Sequence, residues 1–63
     1  MIGVNFTNGE NVYYVNAVSY EYEPKMSLFL INTQNNKRIM IPRENVLDIG
    51  KIEKIKDGEF VYE

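Results

Sequence analysis

Side chains able to attack, coordinate or relay protons are sparse in this 63-residue chain, and their spacing suits catalysis poorly. Nucleophilic catalysis needs a nucleophile and a base that activates it. The sequence holds no cysteine and no histidine. Its serines, Ser19 and Ser27, stand neither beside glycines nor at a strand-to-helix elbow, so they read as surface residues. Glu21 and Glu23 would share one face of an extended segment, as paired carboxylates must for acid–base work. A domain this thin leaves little room for a cleft that excludes water, and a solvated acidic edge is the expected outcome. Asp57-Gly58 lacks the flanking acidic series of a calcium loop, and Gly3, Gly9, Gly50 and Gly58 stand too far apart to cradle a phosphate. Without cysteine and histidine the usual zinc ligands and disulfides are also missing. The expectation is a protein without catalytic residues, metal, cofactor or small-molecule substrate.

Binding chemistry is better represented. Phe29, Ile31 and Met40 are expected on a face turned away from a core of Leu28, Leu30, Ile39 and Ile41, with Val12 and Tyr14 extending the patch. Aromatic and methionine side chains are enriched in interface cores, and exposed apolar patches usually have a purpose. That surface points to a protein partner or to self-association. The competing expectation is internal: a C-terminal hairpin carrying Ile55, Phe60 and Tyr62 folds back over Phe29, Ile31 and Met40.

The alternative is nucleic-acid binding by Lys37, Arg38 and Arg43, with exposed tyrosines stacking on bases. Against it, nine acidic residues outnumber seven basic ones, the net charge is −2, and Glu44 adjoins Arg43. A small basic group of this kind commonly serves to discourage strand addition at a sheet edge. A third possibility is an aromatic cage of Tyr13, Tyr14, Tyr20 and Tyr22 with Glu21 or Glu23, which requires the rings to converge on one point.

The elements that position these residues are marked by turns. Asn8-Gly9 separates two β-prone runs, the strongest short hairpin signal. A two-residue loop there pairs Phe6 with Asn11, Val4 with Tyr13 and Ile2 with Val15, and so predicts one apolar face of Ile2, Val4, Phe6, Tyr13 and Val15. Asp57-Gly58 gives a second hairpin, with Ile55 opposite Phe60 and Glu53 opposite Tyr62. Asn35-Asn36 is a weaker third centre, because asparagine tolerates left-handed backbone. It would make the middle hairpin apolar on both faces. A helix over residues 46–56 competes with strand, since Val46, Ile49, Ile52 and Ile55 recur every third position. Gly50 and the β-branched isoleucines favour strand. Apolar positions change phase near Ala17-Val18, predicting a bulge and a bend. Residues 21–25, with Pro24, read as a loop.

Two strands, a loop, a tight hairpin and then Ile41-Pro42-Arg43-Glu44-Asn45-Val46 resemble the small SH3-like barrels. In those, a proline-containing 3-10 turn precedes the last barrel strand and a valine plugs the barrel end. The resemblance covers roughly residues 2–50. It departs from the signalling members at Asn8-Gly9, where their long first loop and its aromatic peptide-binding motifs have no counterpart, so recognition of proline-rich ligands is not implied. With Asn8-Gly9-Glu10 between two strands and a Pro-x-x-x-Val at Pro42 to Val46, the chain also resembles short uncharacterised proteins of phages of Gram-positive bacteria, which implies a regulator or inhibitor that binds a host protein.

Residues 1–63 read as a single domain, near the lower limit for independent folding. A thin core without disulfides or zinc raises the expectation of self-association. No apolar run approaches the roughly 20 residues needed to cross a bilayer, and the start resembles no secretory signal, so the expected location is cytoplasmic. The expected architecture is all-β: a small SH3-like barrel of five to six antiparallel strands, with a short 3-10 turn near residues 42–45 and a C-terminal hairpin.

Overall fold

A computed structural model describes residues 1–63 as seven strands and one short 3-10 turn. Strand β1 spans Ile2–Phe6, β2 Asn11–Tyr14, β3 Ala17–Glu23, β4 Leu28–Thr33, β5 Arg38–Pro42, β6 Val46–Lys56 and β7 Glu59–Tyr62. The 3-10 turn, Arg43–Asn45, joins β5 to β6. Four strands form a sheet in the order β2-β1-β6-β7, and three form the meander β3-β4-β5, with every pairing antiparallel.

The all-β expectation holds, with its 3-10 turn, its C-terminal hairpin and strand over residues 46–56. The barrel does not: the strands lie in two separate sheets that are not closed on each other. There are seven strands rather than five or six because the run before residue 24 breaks at Val15-Asn16, leaving β2 in one sheet and β3 in the other. The expected bulge is present in β3 between Ala17 and Ser19. Residues 21–23, read from sequence as loop, instead pair with β4, and the turn is confined to residues 24–27.

Loop geometry sets the register of each hairpin. Between β1 and β2, the Phe6 N–H donates to the Glu10 carbonyl at 2.8 Å and the Gly9 N–H to the Phe6 carbonyl at 3.0 Å. The loop therefore has three residues, with Gly9 alone at positive φ (93°), the type I turn followed by a left-handed residue. Asn8 caps it by accepting the Glu10 N–H at 2.9 Å. The pairs are Ile2 with Tyr14 and Val4 with Val12, one residue away from the two-residue prediction. A one-residue slip turns every side chain of a strand over, so Val12 and Tyr14 face inward and Tyr13 and Val15 outward.

The middle hairpin repeats this geometry. Thr33 N–H donates to the Lys37 carbonyl at 2.9 Å and Asn36 N–H to the Thr33 carbonyl at 3.1 Å, with Asn36 at φ 61°. Ile31 pairs with Ile39 and Phe29 with Ile41, so these four face inward, while Leu28, Leu30 and Met40 face outward. Only Asp57-Gly58 is the expected two-residue turn, with both residues at positive φ (53° and 80°). Ile55 opposes Phe60 as predicted, but a bulge at Glu53 puts Tyr62 opposite Ile52.

Two clusters result, on opposite faces of the β1–β6 pair. Between the sheets lie Ile2, Val4, Ala17, Ile31 and Ile41, flanked by Phe6, Tyr14, Ile39, Val46 and Ile49. On the far face, the bulge bends the C-terminal hairpin so that Phe60 covers Gly3 and Tyr62 covers Gly50, the two glycines being directly paired. Phe60 stacks edge-on against Tyr13 at 6.4 Å and against Tyr62 at 6.3 Å. The C-terminal hairpin does fold back, but over β1 rather than over Phe29, Ile31 and Met40.

Candidate functional site

On the outer face of the β3-β4-β5 sheet, apolar side chains line up without a covering layer. Cross-strand neighbours share a face, so the register builds it row by row. Leu28 sits between Glu23 and Pro42, Leu30 between Glu21 and Met40, and Asn32 between Ser19 and Arg38. The last row is polar and self-satisfied, the Asn32 Nδ2 donating to Ser19 Oγ at 3.1 Å. The other two form an apolar strip fringed on one side by carboxylates. Met40 is 63% exposed, and Met26, in the loop at the same end, is 66% exposed.

Of the five residues first assigned to an interface, only Met40 lies on this strip. Ile31 is wholly buried, Phe29 lies on the same inner face, and Val12 and Tyr14 turn toward the core beside Val4 and Ile2. The cause is the loop count at residues 34–36 and 7–9. Leu28 and Leu30, read from sequence as core, replace Phe29 and Ile31 on the surface. The sequence carried no signal for this exchange, because both faces of β4 are apolar.

The structure also separates the basic residues. Lys37 and Arg38 sit at the tip of the middle hairpin, whereas Arg43 begins the 3-10 turn at the other end of β5. Five residues of strand amount to about 16 Å. Arg43 instead lines a depression with Phe29, Val46, Leu47, Asp48 and Ile49. The tyrosines do not converge either. Tyr13 stacks on Phe60, Tyr14 joins the core, and Tyr22 packs on Phe29 at 5.2 Å.

No protein-family model, curated protein or solved structure matches this chain. The surface must therefore be read from its own chemistry. No group of three or more acidic, histidine or cysteine side chains is placed to hold a metal ion, and no helix is long and apolar enough to cross a membrane.

A polar chain borders the far-face aromatic cluster. Asn11 Nδ2 donates to Asn5 Oδ1, and Asn5 Nδ2 donates to the Tyr62 hydroxyl at 3.1 Å. Burial, then the hydrogen bond to the Asp48 carboxylate and its negative charge, push the Tyr62 hydroxyl from its ordinary 10.0 up to about 12. A raised folded-state value favours the neutral phenol, so the associated stability is complete below pH 10.0 and is lost as pH rises toward about 12. Burial pushes Tyr14 in the same direction. Denaturant unfolding between those pH values should show a steeper loss for the native chain than for Tyr62→Phe, which keeps Tyr14. Equal slopes would refute the assignment to Tyr62.

Proposed function

We propose that this chain is a non-catalytic protein-binding module that docks through the outer face of the β3-β4-β5 sheet. The observation that carries the reading is the strip of half-buried Leu28 and Leu30 with exposed Met40 on the outer face of that sheet. Methionine and leucine on a patch rimmed by Glu21, Glu23 and Arg38 match the apolar centre and polar border of protein interfaces. The first partner to test is a second copy. Only 8 of 63 residues are buried, and pairing two such strips would add the apolar burial that a chain without disulfides lacks. The same face would serve a phage or mobile-element regulator that occupies a host protein. The order of hairpin, meander, 3-10 turn and returning strand supports an SH3-like plan, with half-buried Val46 against the core in the place of the plugging valine.

Nucleic-acid binding has weaker support, because Arg43 is parted from Lys37 and Arg38. Salt-sensitive retention on single-stranded DNA, lost in the Arg38→Glu, Arg43→Glu double variant, would reverse this order.

The test is mass in solution for the native chain and for Met40→Asp, with circular dichroism to monitor folding. A native dimer that becomes a folded monomer on substitution supports docking through the strip. If the native chain is monomeric and Met40→Asp changes none of the host proteins it retains, the reading is refuted.

A further inference from the structure

We propose that the partner on the β3-β4-β5 strip is a second copy laid face to face, with the two-fold axis running along β4 and Glu21 of each copy paired with Arg38 of the other. This pairing rests on the strip being the docking face, and adds the orientation of the two copies and the residues that select it.

Charge divides the outer face by strand. β3 contributes Glu21 and Glu23, β4 contributes Leu28 and Leu30, and β5 contributes Arg38 and Met40. The acidic positions thus lie on one edge strand and the basic one on the other, with an apolar column between them. Glu23 is held by its own turn, its Oε1 accepting the Lys25 N–H at 3.0 Å. Glu21 and Arg38 are both exposed.

A two-fold interface uses the same patch on both copies, so each contact occurs twice. Two sheets packed face to face keep their strands within about 30° and lie about 10 Å apart. That leaves two ways to lay this face on its copy. With the axis along the strands, each row faces its own row and β3 lies over the partner's β5. Glu21 then sits over the partner's Met40, one row away from the partner's Arg38. The two α-carbons are separated by about 7 Å along the strands and about 10 Å across the gap, within the combined reach of both side chains. With the axis across the strands, the rows invert and β3 lies over the partner's β3. Glu21 then meets the partner's Glu21, and Arg38 meets the partner's Pro42. Like-charge juxtaposition disfavours that arrangement. The face is narrow, three strands at a spacing of about 4.8 Å, so apolar contact alone leaves the orientation open and the charges decide it.

The experiment uses the full chain at low ionic strength, where exposed charges are least screened. Sedimentation and native mass spectrometry report association, and circular dichroism reports folding. The native chain should dimerise, and Arg38→Glu and Glu21→Arg should each weaken that dimer at least about tenfold, since each reversal acts twice per pair. Mixed together, the two variants should form a heterodimer of native strength, because both cross-pairs are then restored. A chain carrying both substitutions should pair with itself and not with the native chain. Absence of any preference for the heterodimer would overturn the proposed orientation, and dissociation by Met40→Asp would then still leave the strip as the docking face. Glu21→Arg that pairs with the native chain more tightly than the native chain pairs with itself would overturn it in favour of the axis across the strands. A native chain that is monomeric at every concentration would overturn the pairing alone. A native dimer indifferent to Met40→Asp would overturn both the pairing and the reading of the strip.

Discussion

Ile31→Ala is expected to cost about 2–5 kcal/mol, the range for deleting most of a wholly buried isoleucine and leaving a cavity. Ile31 is 0% exposed at the centre of β4 and packs among Ile2, Val4 and Ile41. Domains of this size have a total stability of only about 3–9 kcal/mol, so the substitution removes much or all of it. Thermal unfolding should fall by roughly 10–30 °C. Leu30→Ala, one position along on the outer face, should cost far less, because Leu30 is only half-buried. The comparison tests the register directly. If the middle hairpin closed through two residues instead of three, Leu30 would be the core position and the order of the two effects would reverse.

Gly3→Val is the second large effect. A β-carbon at Gly3 would lie 2.7 Å from Phe60 Cδ2 and 3.1 Å from Ile52 Cγ2. The contact is with a ring, which must swing off β1 to make room, and that motion breaks its edge-on stack with Tyr13. Overpacking of this kind costs about 1–3 kcal/mol, and valine adds two methyl groups beyond the first clash. Gly3→Val should therefore destabilise the fold and release the C-terminal hairpin, seen as faster amide exchange at Phe60 and Val61. Gly3→Val combined with Phe60→Ala should recover part of the loss if the ring is the obstacle. Failure of the double variant to improve on Gly3→Val would place the strain in the backbone instead.

These predictions rest on features that differ in how far the sequence revealed them. Most strand positions, the bulge near Val18, the 3-10 turn and the Asp57-Gly58 reversal were legible because each has a local chemical cause, whereas residues 21–23 belong to β3 and not to a loop. Facing was legible only where one face was polar. At Ile55 and Phe60 the alternatives were Lys54 and Lys56, so the register followed. At Val12-Tyr13-Tyr14-Val15 and Leu28-Phe29-Leu30-Ile31 both faces are apolar, and only the loop count could decide. Asparagine or glycine at a turn announces a left-handed residue but not whether two or three residues close the loop. Asn8 and Asn35 do not take positive φ, whereas Gly9 and Asn36 do. The covering of Gly3 by Phe60 and of Gly50 by Tyr62 was invisible for another reason: both depend on a bend at Glu53, and the first joins residues more than 50 positions apart.

The pairing of β1 with β6 has a consequence for synthesis on the ribosome. Ile2 meets Lys51, and Val4 meets Ile49, so β1 waits for a strand made more than 40 residues later. At about 5–20 residues per second, Ile2 and Val4 stay without their partner for some seconds after they emerge. The early hairpin can form with β2 alone, yet two-stranded ribbons are marginal in water. Ile2 and Val4 therefore lack one of their two neighbouring strands until β6 has been made.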